Sequence, residues 1–154
     1  AITAGNSSQL TDGAAAIVIM SEAAAARLKV TPIAKILATA FVAGPDVSLH
    51  AQPSNAITAA AHKAGVKVAD LSAVEINEAF ASVGIHSTRE LGLNPETVNA
   101  NGGAIALGHP IGASGARIVG HLARRVNELG QGTLGAAGIC GGGGQGSAVI
   151  IEAL

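Results

Sequence analysis

A single cysteine, Cys140, ends the apolar run Thr133 to Ile139 and opens a run of four glycines, Gly141 to Gly144. Glycines there leave backbone N–H groups free to face a substrate oxygen, which is how an oxyanion hole is built. A thiol beside such a loop suits proton transfer, because its ordinary pKa of about 8.5 is tuned by burial, dipoles or a neighbouring imidazole. The alternative is a small buried hydrophobe with no chemistry. A second stretch, Asn99 to Arg117, holds His109 between Gly108 and Pro110, with Gly112 beyond. The proline fixes its own φ and pushes His109 into an extended conformation, while the glycines permit a tight turn and close approach. The ring is aimed by the loop, unless the loop is simply a turn that carries a histidine. Asn77, at the head of Asn77-Glu78-Ala79-Phe80-Ala81, is either the N-cap of a helix or a polar group of the site, and both roles are compatible.

Taken in order, Asn77-Glu78-Ala79-Phe80-Ala81, Asn101-Gly102-Gly103-Ala104 running into Gly108-His109-Pro110-Ile111-Gly112-Ala113-Ser114-Gly115, and Cys140 with its glycines resemble the thiolase family, the enzymes that make or cleave 3-ketoacyl-coenzyme A. The likeness runs from Ala1 to Leu154 and corresponds to the C-terminal half of a thiolase. The resemblance implies an acyltransferase whose acyl-carrying cysteine lies in an N-terminal half outside this chain, so that the chain alone is inactive. It implies that Cys140 is the general base and acid at the α-carbon. His109 would activate the nucleophile and donate to the thioester oxygen, Asn77 would hold a water beside His109, and Gly142 would lend its N–H to a second oxyanion hole. Ser8 would touch pantetheine, Phe80 would flank the same channel or belong to the core, and Leu49 would line the acyl pocket. Substrates would be coenzyme A thioesters with no cofactor, and the complete protein a homo-oligomer of two or four subunits in fatty acid and lipid metabolism.

The chain departs from many members in having Gly141 directly after the cysteine, and in the loop Leu49-His50-Ala51-Gln52-Pro53. A catalytically silent binding or scaffolding subunit of the same fold is the alternative function. A ketoacyl synthase is a further one, and Cys140 argues against it because that class typically has histidine or asparagine there.

The elements that must position these residues alternate between strand and helix. Ala14 to Met20 has the apolarity of a buried strand. Ser21 caps a helix from Glu22 to Leu28, with its acid at the start and Arg27 at the end, as the helix dipole favours. Ile33 to Val42 is extended, and Gly44-Pro45-Asp46 breaks it. Ser54 then caps a helix that ends at Gly65, with Ile57, Ala60, Ala61 and Ala64 on one face. Leu71 and Val74 to Ile76 give a strand, and Asn77 starts a helix from Glu78 to Leu91. Ser114 to Leu129 is a helix burying Ile118, Leu122, Val126 and Leu129. Thr133 to Cys140 and Ser147 to Glu152 close the chain as an antiparallel hairpin at the sheet edge. Such alternation predicts an α/β layered fold. The resemblance implies one half of a layered sandwich, with a mixed five-stranded sheet covered by helices and residues 1–154 as one domain.

Composition bounds the rest. With 154 residues, 49% hydrophobic and only 12% charged, the chain can bury a substantial core. Its formal net charge of −1 gives no electrostatic case for nucleic acid or an anionic membrane. One cysteine excludes an internal disulfide and a cysteine-based zinc cluster. His50, His62, His86 and His121 lack metal-ligand spacing and fit surface or helix-face positions. No transmembrane run or signal peptide is expected, which agrees with a cytoplasmic location. Gly141, Gly143 and Gly146 match G-x-G-x-x-G, but a strand follows them where the dinucleotide fingerprint needs a helix. The apolar, weakly charged composition predicts that more than one face is covered, by the other half of the protein or by another subunit.

Overall fold

A computed structural model describes residues 1–154. The helix α1 (Glu22–Leu28) starts where expected, with the Ser21 hydroxyl accepting from the Ala24 N–H. The strand β1 (Ala34–Ala43) leads through a loop to α2 (Gln52–Ala64), which ends at Gly65 in the left-handed region. Strand β2 (Ala73–Ile76), helix α3 (Ala81–Glu90), the single turn α4 (Ala104–Leu107) and the long α5 (Ser114–Leu129) follow. Strands β3 (Leu134–Gly141) and β4 (Gln145–Ala153) close the chain.

The four strands form one mixed sheet in the order β1-β4-β3-β2. Strands β3 and β4 are antiparallel, β1 adds antiparallel to β4, and β2 runs parallel to β3. The hairpin was correctly expected but lies at the centre of the sheet, because β1 and β2 pair to its two outer sides. Period-two alternation then sends β4 residues to two different cores. Ala148 and Ile150 face α2 with Ala56, Ile57, Ala60 and Ala61. Val149, Ile151 and Ala153 face α5 with Ile118, Leu122 and Val126. Helices on both faces explain why β3 and β4 are nearly continuous apolar runs.

Small residues bring helix and sheet close. A Cβ at Gly135 would stand 2.6 Å from Val126 Cγ1, and one at Gly138 would stand 2.9 Å from Ile57 Cδ1. The two glycines of β3 therefore admit α5 on one side and α2 on the other.

Several boundaries differ from expectation. Ala14 to Met20 joins no ladder, so the sheet has four strands where five were expected. Apolarity alone makes no strand where the segment pairs with neither sheet edge, and Val18 and Ile19 are 83% and 68% exposed. Helix α2 begins three residues early, with Ala51 as N-cap and Pro53 in the first turn, where its fixed φ and missing N–H cost nothing. Ser54 instead donates to the Ala51 carbonyl at 2.8 Å. Leu129, at the end of α5, is 44% exposed.

Leu122 is fully buried between α5 and the sheet. Leu122→Ala is expected to lower the unfolding free energy by about 2–5 kcal/mol. Denaturant titration of the two proteins measures it, and an unchanged midpoint would contradict this packing.

Candidate active site

The C-terminal ends of the parallel strands β2 and β3 form the base of the site. Ile76 pairs with Gly138, and the Asn77 N–H donates to the Gly138 carbonyl at 2.9 Å. Asn77 and Cys140 therefore leave the sheet at the same end, and the Cys140–Gly142 turn continues from there.

Asn77 does not cap a helix. Helix α3 starts at Ala81 after Phe80, so residues 77 to 80 form a non-helical link, bent where the Ala79 N–H donates to the Asn77 carbonyl at 3.0 Å. Two interactions hold that link in place. The Glu78 carboxylate accepts from the Asn99 side-chain amide at 2.8 Å and from the Ile105 N–H at 3.1 Å. Phe80 pairs with Ser7 in an antiparallel bridge, and both the N–H and the hydroxyl of Ser8 donate to the Ala79 carbonyl at 3.1 Å. Asn99, at φ 49°, closes the clamp by bonding both the N–H and the carbonyl of Ile76. A side chain at Gly103 would overlap the Glu78 carboxylate, which explains the glycine there.

His109 arrives from the other side. Its N–H donates to the Gln9 carbonyl at 3.3 Å, and Gly108 at φ 93° lies so close to Thr11 that any side chain would clash. The Pro110 carbonyl accepts from the N–H groups of Ala113 and Ser114 and from the Ser114 hydroxyl at 3.1 Å, a tight turn that starts α5. Ser114 Oγ also lies 2.6 Å from His109 Nδ1, and Asn77 Nδ2 lies 3.3 Å from Nε2.

These contacts favour one tautomer. With the Ser114 hydroxyl proton on the Pro110 carbonyl, its oxygen accepts from His109 Nδ1–H. Nε2 is then left with its lone pair facing the Asn77 amide and the site. Burial, with the positive charge of Arg117 second, lowers the His109 pKa from its ordinary 6.5 and favours this neutral ring. The Cys140 thiol, half-buried, is pushed upward by burial, only partly offset by a backbone hydrogen bond. No hydrogen bond joins it to His109. Asn77 is fully buried, and its Oδ1 has no partner.

The structure thus joins Asn77 and His109, and brings Ser8 and Phe80 to the same link. Gly142 lies exposed in the β3–β4 turn, where its carbonyl accepts from the Gln145 amide at 2.9 Å. Leu49 sits apart, half-buried in the β1–α2 loop. That loop is tied to the glycine turn by a Gly44 N–H bond to the Gly144 carbonyl, and is braced internally by the Gln52 amide donating to the Gly44 and Ser48 carbonyls. Sequence reasoning missed Ser114, Glu78 and Asn99. The five-residue step from His109 across Pro110 to Ser114 was the available signal for the first. It also missed Glu75, 3% exposed, whose carboxylate lies 3.6 Å from His121 Nε2.

A family model described as thiolase, C-terminal domain, matches residues 30–153. The chain belongs to the thiolase family. Among curated relatives, this thiolase domain is 54% identical over 152 residues to a probable acetyl-CoA acetyltransferase of Mycobacterium tuberculosis, covering 99% of the chain and 38% of the relative. It is 50% identical over 153 residues to acetyl-CoA acetyltransferase A, mitochondrial, of Xenopus laevis, covering 99% and 36%. The crystal structure of the Bacillus anthracis acetyl-CoA acetyltransferase superposes with a TM-score of 0.91 at 39% identity, covering 99% of this chain and 39% of that one. The Acat5 thiolase from Ascaris suum, in complex with coenzyme A, gives 0.87 at 37%, with the same coverage. The thiolase domain therefore spans less than two fifths of the length of these relatives. No group of three or more His, Cys, Asp or Glu side chains is placed to hold a metal ion, and no helix is long and apolar enough to cross a membrane.

Glu75 gives the thiolase domain a pH-dependent stability. Burial raises its pKa from 4.5 to about 7, against the lowering effect of Arg117, and Glu78 adds a small upward push. A raised folded pKa means that its contribution is intact below 4.5 and is lost as pH climbs through about 7. The loss has a ceiling of about 3 kcal/mol. Glu75→Gln is expected to gain stability relative to the parent between pH 5 and pH 8, by at most about 3 kcal/mol. Denaturant titration at both pH values checks it, and an equal difference at the two would contradict a buried, late-titrating Glu75.

Proposed function

We propose that the chain is the C-terminal domain of an acetyl-CoA acetyltransferase, performing Claisen condensation or thiolysis of a 3-ketoacyl-coenzyme A together with a half that bears the nucleophilic cysteine. The observation that carries this reading is the hydrogen-bonded group Asn77, His109 and Ser114 at the sheet end from which Cys140 and its glycine turn emerge. The apolar residues left exposed, Val18, Ile19 and Phe41 among them, support a surface covered by a partnered half or another subunit. The compartment does not follow from the likeness, which extends to relatives named mitochondrial as well as to bacterial ones.

Neutral His109 takes the proton of the nucleophilic thiol at Nε2, and that thiolate attacks the first acetyl thioester. The imidazolium keeps this proton on Nε2 and offers it as a hydrogen bond to the oxyanion, beside a water held by Asn77. Because burial holds Cys140 as a thiol, the departing coenzyme A thiolate takes the Cys140 proton and leaves as the free thiol. Cys140, now a thiolate, removes an α-proton from the second acetyl-coenzyme A. The resulting carbanion, its oxyanion held by the Gly142 N–H, attacks the acyl-enzyme and forms the carbon–carbon bond. The expelled nucleophile recovers its proton from His109. The sequence balances with side chains and coenzyme A thioesters alone, so no cofactor is called for. Ser8 and Phe80 would guide the pantetheine arm, and Leu49 would meet the acyl end.

Cys140→Ser in the complete enzyme is expected to reduce condensation by about 10²–10⁴-fold. Acyl-enzyme should still be detected by mass spectrometry of the intact protein after addition of acetyl-coenzyme A. Undiminished condensation in a direct product assay would overturn the role of Cys140.

A further inference from the structure

The mechanism above uses His109 in its neutral form but leaves a buried charge cluster behind it without a task. Helix α5 carries Ser114, Arg117 and His121 at steps of three and four residues, so all three share one face. Ser114 bonds the His109 ring at one end, and His121 meets the buried Glu75 of β2 at the other. Arg117 lies between them. Its Nε and Nη2 are buried with no partner, as is Glu75 Oε2. Arg117 is half-buried, its two buried nitrogens are costly to leave unpaired, and nearby titratable groups feel its field more strongly than in open water.

We propose that Arg117 is a positioning residue for His109: carried on α5 one turn beyond the Ser114 that bonds the ring, its positive charge adds to burial in holding the imidazole neutral and ready to accept a thiol proton. The inference rests on the thiolase reading for its purpose, though not for its physics. Among the charged groups around the two rings, Arg117 is the one whose field acts on His109. Glu78 is committed to Asn99 and to the Ile105 N–H. Asp12 lines an open hollow beside Pro110, away from the buried face. Glu96 and Arg125, of opposite charge, border a cavity of about 70 Å³ next to Glu75. Cys140, at the end of β3, is held as a neutral thiol by burial. Glu75 itself keeps its proton up to about pH 7, so it does not neutralise Arg117 over the range in which His109 would become charged.

The test follows the His109 ring by NMR titration in the complete enzyme, with the pH profile of kcat/KM recorded in parallel. Arg117→Gln is expected to raise the His109 midpoint by about 0.5–1 pH unit and to move the acid limb of the profile with it. Arg117→Lys, which keeps the charge, should leave both in place. Arg117→Met repeats the neutral substitution with an apolar chain should the glutamine variant fold poorly. A midpoint unmoved in a folded neutral variant, whatever the change in thermal stability, would overturn the proposal and reduce Arg117 to a brace. A moved midpoint in a protein without acyl-transfer activity would instead sustain the proposal and refute the thiolase reading.

Discussion

The site depends on one hydroxyl. When the Ser114 hydroxyl donates to the Pro110 carbonyl, it bonds His109 as an acceptor. That arrangement places hydrogen on Nδ1 and turns the lone pair of Nε2 toward Asn77. The hydroxyl is held in turn by the first turn of α5, whose start is set by the three donors converging on Pro110. Proline therefore contributes twice, by restricting His109 and by offering a carbonyl that the helix start saturates.

The opposite wall depends on a second clamp. Glu78 and Asn99 tie the end of β2 to the turn before α4, which prevents residues 77 to 80 from coiling into the following helix. An Asn-Glu-Ala sequence favours a helix start by local propensity. Here long-range hydrogen bonds and the Ser7–Phe80 bridge override it, and Asn77 becomes a fully buried group with an unpartnered oxygen. A buried polar atom without a partner is costly, and folds retain such atoms at places where a water or substrate completes the bonding.

Much of this was legible in the residues. Helix α5, the central hairpin and β2 follow from apolar periodicity and from Gly65 and Gly130 at helix ends. The pairing of Asn77 with His109 was foreshadowed by the family likeness. What escaped were features that exist only through distant contacts. Ala14 to Met20 looked like a strand, yet no edge receives it. Ser54 looked like a cap, but Gln52 and Pro53 already belong to the helix. His121 looked like one more helix-face histidine, whereas it faces a carboxyl that β2 buries from the other side. Glu75 itself sits in a strand where a charge is improbable by composition, and that oddity was the signal to follow.

The account stands or falls on the protonation pattern of His109. Nitrogen-15 NMR of the imidazole, recorded at about pH 8 where the ring is neutral, separates the two tautomers directly. The prediction is a protonated Nδ1 and a bare Nε2. A ring protonated at Nε2, or one exchanging freely between the two forms, would contradict the Ser114 lock and the proton route built on it.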